Sequence, residues 1–359
     1  MSELVAGTIT PAAPSYATIA GANVVMAYTN AAAEYGALRQ RAVVVDRSHR
    51  VRLRVSGAKA AEMIAGLVTN DTQALQPGQG QYAAALSPKG KIIADVRIFV
   101  DEGSVLTDTG PRAGEGWREM IRKYVNPRLA PHADETAGLR TIGVYGPTAR
   151  HVVEAMTGVN SSALALLPPY AHVRAMVDGV PVLVARTPEL AADGYELFAP
   201  TPAFAALWQR ATKAGATACG LAAWEIARVE AGRPEWGLDM DDTTLVQEAN
   251  LDELHAISYT KGCYVGQEIV ARVHFKGHVN RHLRGLRAPG AGGAPSGAVL
   301  VDDAGKEVGD VRTSVTSPRL GAIALGMVRR EIEPGTTLTA RWDGGEGRVD
   351  VCALPFAGE

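Results

Sequence analysis

One octapeptide constrains this chain more than any other stretch. It comprises Lys261, Gly262, Cys263, Tyr264, Val265, Gly266, Gln267 and Glu268. Glycines at this spacing allow the backbone to turn tightly or to approach a ligand closely. Positive charge beside a thiol stabilises the thiolate, so the lysine makes Cys263 a candidate reactive group. The alternative is a buried cysteine in a tight turn, because unpaired cysteines are among the most buried residues.

Length and composition describe an ordinary globular protein. The chain has 359 residues, 47% of them hydrophobic and 21% charged, so two or three domains are expected. The formal net charge of −2 gives no general reason to bind nucleic acid or an anionic membrane. Three widely separated cysteines form no disulfide framework and suit a reducing compartment. No apolar run approaches the roughly 18 residues that a membrane-spanning helix needs. These totals predict a cytoplasmic protein.

Sequence periodicity predicts two α/β subdomains. Residues 51–55 alternate, with three apolar side chains facing the core and Arg52 and Arg54 facing solvent, as in a half-buried strand. A glycine and a short helix follow. Residues 142–156 repeat this pattern of strand, glycine and helix, which suggests a second subdomain built in the same way.

The chain changes character at about residue 281. From there, short β segments are separated by Gly, Asp and Pro, which is typical of a small barrel or sandwich. The predicted domains are residues 1–135, with a loosely ordered leader at 1–22, then 136–280, and a C-terminal barrel at 281–359. The fold class is predicted to be α+β.

Motifs on both sides of the octapeptide indicate a family. Gln-Glu-Ala-Asn-Leu precedes it at residues 247–251, and Val-Ala-Arg follows it at 270–272. In this order and spacing the residues resemble the YgfZ family of folate-binding proteins, whose hallmark is a K-G-C-Y-x-G-Q-E motif. That family is related to the aminomethyltransferase, or T-protein, of the glycine cleavage system. The resemblance implies a GcvT-like fold, with two similar α/β subdomains around a central folate cavity and a C-terminal β-barrel.

The resemblance also implies which residues bind the folate. Tyr82, in a Gly-Gln-Tyr segment, matches a position that stacks on the pterin or benzoyl ring. Glu196, in Asp-Gly-Tyr-Glu, matches a glutamate that hydrogen-bonds the pterin, and a carboxylate can accept paired bonds from an amino-pyrimidine edge. Arg228 and Glu230 match an Arg-x-Glu motif of both families. On a helix these two side chains point about 200° apart, so only one of them is expected to meet the ligand.

Asp95 distinguishes the two related families. T-proteins carry two consecutive carboxylates after a glycine turn, and one of them serves in methylene transfer. Here the pair reads Ala94-Asp95, so Asp95 is the candidate catalytic and folate-binding carboxylate. The alternative is a surface aspartate, because Arg97 lies on the same face of the strand. T-proteins also lack the cysteine of the octapeptide, and these two departures favour the YgfZ family.

Three histidines follow the octapeptide. His274, His278 and His282 repeat every four residues, which on a helix would align metal ligands. Gly277 and the alternating apolar pattern favour extended structure instead, so no metal site is expected. The arginines and lysines of this segment form either a solvated barrel face or an anion site, for a folate polyglutamate tail or an acidic partner surface.

The resemblance and the residues lead to one main functional hypothesis and two alternatives. The main hypothesis is a monomeric factor that binds tetrahydrofolate or a one-carbon derivative and supports assembly or repair of iron–sulfur enzymes, with Cys263 reactive. The first alternative is a folate-dependent aminomethyltransferase or demethylase, with Asp95 catalytic. The second alternative is a non-catalytic scaffold whose octapeptide docks partner proteins.

Overall fold

Two β-sheets and one closed barrel organise the fold. The computed structural model describes residues 14–289 and 293–356 of the protein. Up to residue 134 the strands and helices are β1 (Ser15–Ile19), β2 (Ala22–Ala27), α1 (Ala31–Gln40), β3 (Val43–Asp46), β4 (Val51–Ser56), α2 (Ala60–Ala65), β5 (Gly80–Leu86), β6 (Ile92–Asp101), β7 (Ser104–Thr109), α3 (Gly114–Tyr124) and β8 (His132–Asp134).

The second half of the chain continues this mixture and then becomes all β. Its elements are β9 (Leu139–Tyr145), α4 (Ala149–Thr157), α5 (Ser161–Leu166), β10 (His172–Val177), β11 (Val180–Arg186), β12 (Gly194–Pro200), α6 (Phe204–Lys213), β13 (Thr217–Ala218), α7 (Leu221–Glu230), α8 (Gln267–Lys276), β14 (Arg281–Ala288), β15 (Val299–Val301), β16 (Glu307–Ser317), β17 (Gly321–Arg329), β18 (Thr337–Trp342) and β19 (Gly345–Cys352). Short 3₁₀ turns lie at Thr72–Ala74 and Thr201–Ala203.

The first sheet has the strand order β5-β6-β7-β4-β8 and is covered on both faces. Helices α2 and α3 pack on one face, where Trp117 of α3 is fully buried. The other face packs against the second sheet, and the rings of Phe99 and Phe198 lie 5.2 Å apart across this layer. The prediction that Arg52 faces solvent is therefore wrong. Its side chain is 0% exposed, because the face that the alternation assigns to water is covered by the second sheet.

The second sheet recruits a strand from the N-terminal part of the chain. Its order is β10-β11-β12-β9-β3-β13, and β3 pairs antiparallel with β9. Strand β3 therefore lies in the first predicted domain by sequence and in the second sheet by pairing, and the boundary at residue 135 stays a prediction. The apolar run of β3 indicates a buried strand, but nothing local to it specifies which sheet it joins.

An N-terminal hairpin replaces part of the predicted leader. Strands β1 and β2 pair antiparallel around a two-residue turn, in which Ala20 and Gly21 have positive φ angles of 46° and 84°. Two consecutive positive φ angles match the twist of a tight hairpin. The prediction of a loosely ordered segment is wrong for Ser15–Ile19, and residues 1–13 lie outside the described residues.

The C-terminal strands close into a barrel in the order β14-β17-β16-β15-β18-β19. Helix α7 connects the barrel to the rest of the molecule, because Val229 packs among barrel residues and Trp224 packs against the helix α1 region. The predicted α+β architecture, with two α/β subdomains and a C-terminal barrel, is confirmed.

The end of the octapeptide and the residues after it form helix α8 rather than extended structure. His274 lies in the last turn of α8, whereas His278 follows the helix and His282 lies on β14. The prediction of extended structure is wrong for His274, because residues 267–276 include no helix breaker and Gly277 comes only after the last turn. The three histidines do not share one helical face.

Candidate functional site

A small cavity lies where the two sheets meet the segment after helix α7. Its walls are formed by Arg50, Tyr82, Asp95, Glu189, Trp224, Arg228, Arg233, Pro234 and Glu235. The enclosed volume is about 20 Å³, enough for a single water molecule. A larger surface cleft of about 350 Å³ borders strands β2 and β3, but none of the predicted site residues lines it. The predicted residues therefore identify the small cavity as the candidate site.

Tyr82 and Asp95 meet inside this cavity. They lie on neighbouring strands β5 and β6, and the Tyr82 hydroxyl donates a hydrogen bond of 3.1 Å to Oδ2 of Asp95. The other carboxylate oxygen, Oδ1, is buried and accepts no hydrogen bond. Burial raises the pKa of Asp95, although the charge of Arg50 opposes this shift. The alternative of a surface aspartate is wrong, because Asp95 is only 8% exposed.

An unpredicted arginine joins the two sheets beside the cavity. Arg97 lies directly across from Tyr82 in the sheet register. Its guanidinium donates to both carboxylate oxygens of Glu196, at 2.9 and 2.8 Å. It also donates to Asp108 at 2.6 and 2.9 Å. This buried cluster links strand β6 of the first sheet to strand β12 of the second.

Glu196 lies in this charge cluster and not in the cavity wall. Its side chain is 0% exposed, and the Tyr145 hydroxyl donates a further hydrogen bond of 2.6 Å to Oε1. Burial alone would raise the pKa of Glu196, but the charges of Arg97 and Arg47 hold it well below its ordinary value. The prediction that Glu196 accepts hydrogen bonds from a ligand does not fit this geometry, because Arg97 already donates to both oxygens. The Asp-Gly-Tyr-Glu motif identifies the carboxylate of Glu196 but does not show that Arg97 is its partner.

Arg228 lines the cavity but has no free donor. Its N–H groups donate to Glu225, Asp239, Thr313 and the backbone oxygen of Arg233, and Nε also donates to Glu225. The side chain is 2% exposed. Arg228 therefore holds the wall of the cavity in place instead of pointing an unpaired donor into it.

Glu230 lies on the opposite side of helix α7, as the predicted 200° separation requires. It accepts hydrogen bonds from Tyr35 at 2.8 Å, from Ser317 at 2.5 Å and from Arg319 at 3.2 Å. Ser317 ends a barrel strand, so Glu230 ties helix α1 and the barrel to α7. The structure does not bring Glu230 to the cavity.

Lys261 anchors the octapeptide to the first subdomain. Its ammonium donates to the backbone oxygens of Ala65, Val68 and Asn70 at 2.5, 2.8 and 2.9 Å. These carbonyls belong to the last residue of helix α2 and to the segment after it, and a lysine is well suited to cap the acceptors at a helix C-terminus. Burial lowers the pKa of Lys261 to about 8. All three ammonium hydrogens have backbone acceptors, so this lysine has a clear structural role.

The rest of the octapeptide packs against the turn between β5 and β6. Gly266 has a φ of 82°, and a Cβ there would lie 2.6 Å from the backbone oxygen of Ser87. Tyr264 is buried in the same apolar cluster as Tyr82, whereas Gln267 and Glu268 begin helix α8. Gly262 and Cys263 are exposed. The alternative of a buried cysteine is therefore wrong.

The described residues contain neither a metal-binding cluster nor a membrane-spanning helix. In the ranges 14–289 and 293–356, no three histidine, cysteine or acidic side chains are grouped to hold a metal ion. Within these same ranges, no helix combines the length and the apolar character needed to cross a membrane.

Known proteins resemble the chain over most of its length. A model of the GCVT N-terminal domain matches residues 14–258, and a model of the glycine cleavage T-protein C-terminal barrel domain matches residues 281–357. The chain is 30% identical over 354 residues to a protein named aminomethyltransferase from Cutibacterium acnes, covering 95% of this chain and 94% of the relative. It is 32% identical over 303 residues to an aminomethyltransferase from Thermosynechococcus vestitus, covering 84% and 80% respectively.

A solved structure shares the fold. The crystal structure of the glycine cleavage system aminomethyltransferase T from Bartonella henselae matches with a TM-score of 0.86 at 22% identity, covering 96% of this chain and 94% of that chain. The predicted relation to aminomethyltransferases is confirmed, whereas the narrower YgfZ assignment stays a prediction. Its two matched domains and its relatives show that the chain belongs to the glycine cleavage T-protein family.

Proposed function

We propose that this protein binds a reduced folate beside Tyr82 and Asp95 and transfers a one-carbon unit between the folate and an amine, as an aminomethyltransferase. The observation that carries this proposal is the buried Oδ1 of Asp95, which has no hydrogen-bond partner. Buried polar atoms are nearly always paired, so this carboxylate oxygen has acceptor capacity for a donor group that enters the cavity. The relatives named aminomethyltransferase support the reaction class.

The chemistry of the cavity suits a reduced pterin head group. Such a group is planar and carries N–H donors along one edge, which the carboxylates of Asp95 and Glu189 can accept. The ring of Tyr82 offers a stacking face. The volume of about 20 Å³ is too small for two fused rings, so binding requires a wall side chain to move.

The residues of this chain have separate tasks in the proposed reaction. Bound tetrahydrofolate would supply the nitrogen atoms that accept or release the one-carbon unit. Asp95 is the group that can take up and return a proton, because its raised pKa lies closer to neutral pH than that of a free aspartate. The Tyr82 hydroxyl holds Oδ2, which leaves Oδ1 for the substrate. With Ala94 in place of a second carboxylate, transfer should depend on Asp95 alone.

Titration calorimetry with tetrahydrofolate, together with an assay of methylene transfer from glycine with the partner proteins supplied, tests this function. The wild-type protein should bind, and Asp95→Asn should weaken binding at least about tenfold, equivalent to about 1.4 kcal/mol, and abolish transfer. Asp303→Asn changes an exposed barrel aspartate and is the matched control. Equal affinity of the wild type and Asp95→Asn would refute the assignment of the site.

The iron–sulfur support factor is a second candidate function, and the exposure of Cys263 favours it. The thiol lies on a loop that Lys261 anchors to the first subdomain, so it is presented in a defined position. Cys263→Ser should then fail to complement a strain that is deficient in iron–sulfur enzyme activity, whereas Cys352→Ser should complement it. Folate binding without methylene transfer in the calorimetric experiment would favour this second function over the first.

A further inference from the structure

The guanidinium of Arg233 covers the stacking face of Tyr82. Its central carbon lies 4.9 Å from the centroid of the Tyr82 ring. One of its nitrogens donates a hydrogen bond of 2.8 Å to the hydroxyl of Tyr170, whose ring lies nearly parallel to that of Tyr82 at 6.2 Å. A guanidinium is flat and carries N–H donors at its edge, as an amino-pyrimidine does. Arg233 thus occupies the place that a flat, donor-edged ligand would take.

A second carboxylate in the cavity faces this occupied place. Glu189 is 6% exposed and accepts one hydrogen bond of 3.3 Å from Arg97. Glu196, in contrast, accepts from Arg97 at both oxygens and from Tyr145. Burial would raise the pKa of Glu189, but the charges of Arg97 and Arg233 lower it. Glu189, not Glu196, is therefore the ionised carboxylate with acceptor capacity left for a ligand.

The side chain of Arg233 can leave while its backbone stays. The backbone oxygen of Arg233 accepts a hydrogen bond of 2.5 Å from Arg228, which is itself buried. The next residues are held by the ion pair of Arg112 and Glu235 at 2.6 Å. The Arg233 side chain is half-buried. It is held by its hydrogen bond to the Tyr170 hydroxyl, by its position over the Tyr82 ring and by the charge of Glu189. Rotation about its own side-chain bonds would break the hydrogen bond to Tyr170 and the attraction to Glu189, and would leave the backbone at Arg233 in place.

We propose that the Arg233 side chain fills the pterin site beside Tyr82 until a ligand binds. An amino-pyrimidine ligand then displaces Arg233 from the Tyr82 ring and donates hydrogen bonds to the carboxylate of Glu189. This inference rests on the proposed function, because it names the ligand group as the edge of a reduced pterin. It assigns recognition of that edge to Glu189 in place of Glu196. It also accounts for the small volume of the cavity, since the occupant fills the site until a ligand competes for it. Occupation by a side chain reduces the apparent affinity to the intrinsic affinity multiplied by the fraction of molecules in which the site is open.

Binding of 5-formyltetrahydrofolate, a stable reduced folate, tests the inference by calorimetry. Arg233→Ala and Arg233→Gln should both bind more tightly than the wild type, by about tenfold if the site is open in about one molecule in ten. Glu189→Gln should weaken binding at least about fivefold, both alone and combined with Arg233→Ala. Arg140→Ala is the matched control, because it removes a guanidinium from the ring of Phe204 outside the cavity, where the distance to the centroid is 3.8 Å.

The outcomes separate this inference from the function on which it rests. If the wild type binds and both Arg233 variants bind with equal or lower affinity than the wild type, Arg233 either contacts the ligand or has no effect on binding. Either result overturns the inference. If the Glu189 variant keeps wild-type affinity, its assigned role is overturned. If neither the wild type nor Arg233→Ala binds the folate, the proposed function falls and the inference falls with it. Thermal unfolding of each variant identifies those that are folded, and the two Arg233 substitutions provide independent chances of a folded protein.

Discussion

The cluster that joins the two sheets should be the most sensitive point of the fold. We expect Arg97→Met to lower the free energy of unfolding by about 3–5 kcal/mol, because it leaves Asp108 and Glu196 as buried carboxylates without their main cation. Glu196→Gln removes one charge and keeps the shape, so it should cost about 1.5–3 kcal/mol, the range for hydrogen bonds to charged groups. Both carboxylates are 0% exposed, so water cannot replace the lost partner.

A double-mutant cycle isolates the interaction of Arg97 with Glu196. Each single variant leaves a partner unpaired, whereas the double variant removes both, so the double variant should cost less than the sum by about 0.5–3 kcal/mol. Urea unfolding, followed by circular dichroism and by tryptophan fluorescence, measures these energies. Arg348→Ala breaks the exposed pair with Asp303 and should cost less than about 1 kcal/mol. Strict additivity, or a cost of Arg97→Met no larger than that of the control, would show that this cluster does not hold the sheets together.

The same cluster predicts a pH dependence with a definite sign. The pKa of Glu196 is held below its ordinary value of 4.5 in the folded protein. A carboxylate with a depressed pKa contributes stability above its unfolded pKa, and this contribution is lost as the pH falls through the folded pKa. The stability difference between the wild type and Glu196→Gln should therefore be constant near neutral pH and shrink only below about 4.5. A difference that already shrinks between pH 7 and 5 would contradict this assignment.

Three further predictions follow from single side chains. Asp95→Asn should raise the free energy of unfolding at pH 7 by about 1–2 kcal/mol, because it removes a buried charge that has no ion-pair partner. This gain should vanish below the unfolded pKa of 3.8, and a loss of stability in urea at pH 7 would contradict the prediction. Iodoacetamide should label Cys263 fastest and Cys219 slowest by site-resolved mass spectrometry, because Cys219 is buried and burial raises its pKa; equal rates would mean that the exposed loop is closed in solution. Glu230→Gln should weaken the attachment of the barrel to helix α7 and expose the segment after α8 to limited proteolysis. An unchanged digestion pattern would show that the hydrogen bonds of Glu230 to Tyr35 and Ser317 do not hold the barrel against α7.

Some features could be predicted from local sequence because a local cause produces them. The barrel was predictable, since closely spaced turn residues force short strands after residue 281. The exposure of Cys263 and the burial of Tyr264 were not, because both belong to one loop with no periodicity to separate inside from outside. The end of helix α8 was misread for a related reason: the alternation of Val273 and Phe275 with polar residues fits an extended strand as well as a short helix.

In the candidate site, too, the sequence predicted some residues and missed others. The motifs singled out Tyr82 and Asp95, and the structure brings these two together at 3.1 Å. They did not single out Arg97 or Glu189, because an arginine on a strand is predicted to face water unless a second sheet is known to cover it. Register was the missing information, since it places Arg97 directly across from Tyr82.

The sequence by itself determined the relation to aminomethyltransferases, the order of the α/β and barrel segments and the carboxylate at position 95, because each depends on residue identity and spacing along the chain. Only the tertiary structure decided which charges are buried together. Strand β3 crosses to the second sheet, and the face of the first sheet that carries Arg97 is covered by strands that lie about a hundred residues later, since Glu196 is 99 residues away. Whether a carboxylate binds a ligand or an arginine depends on which partner the fold brings within hydrogen-bonding distance, and that distance is not encoded in any one segment.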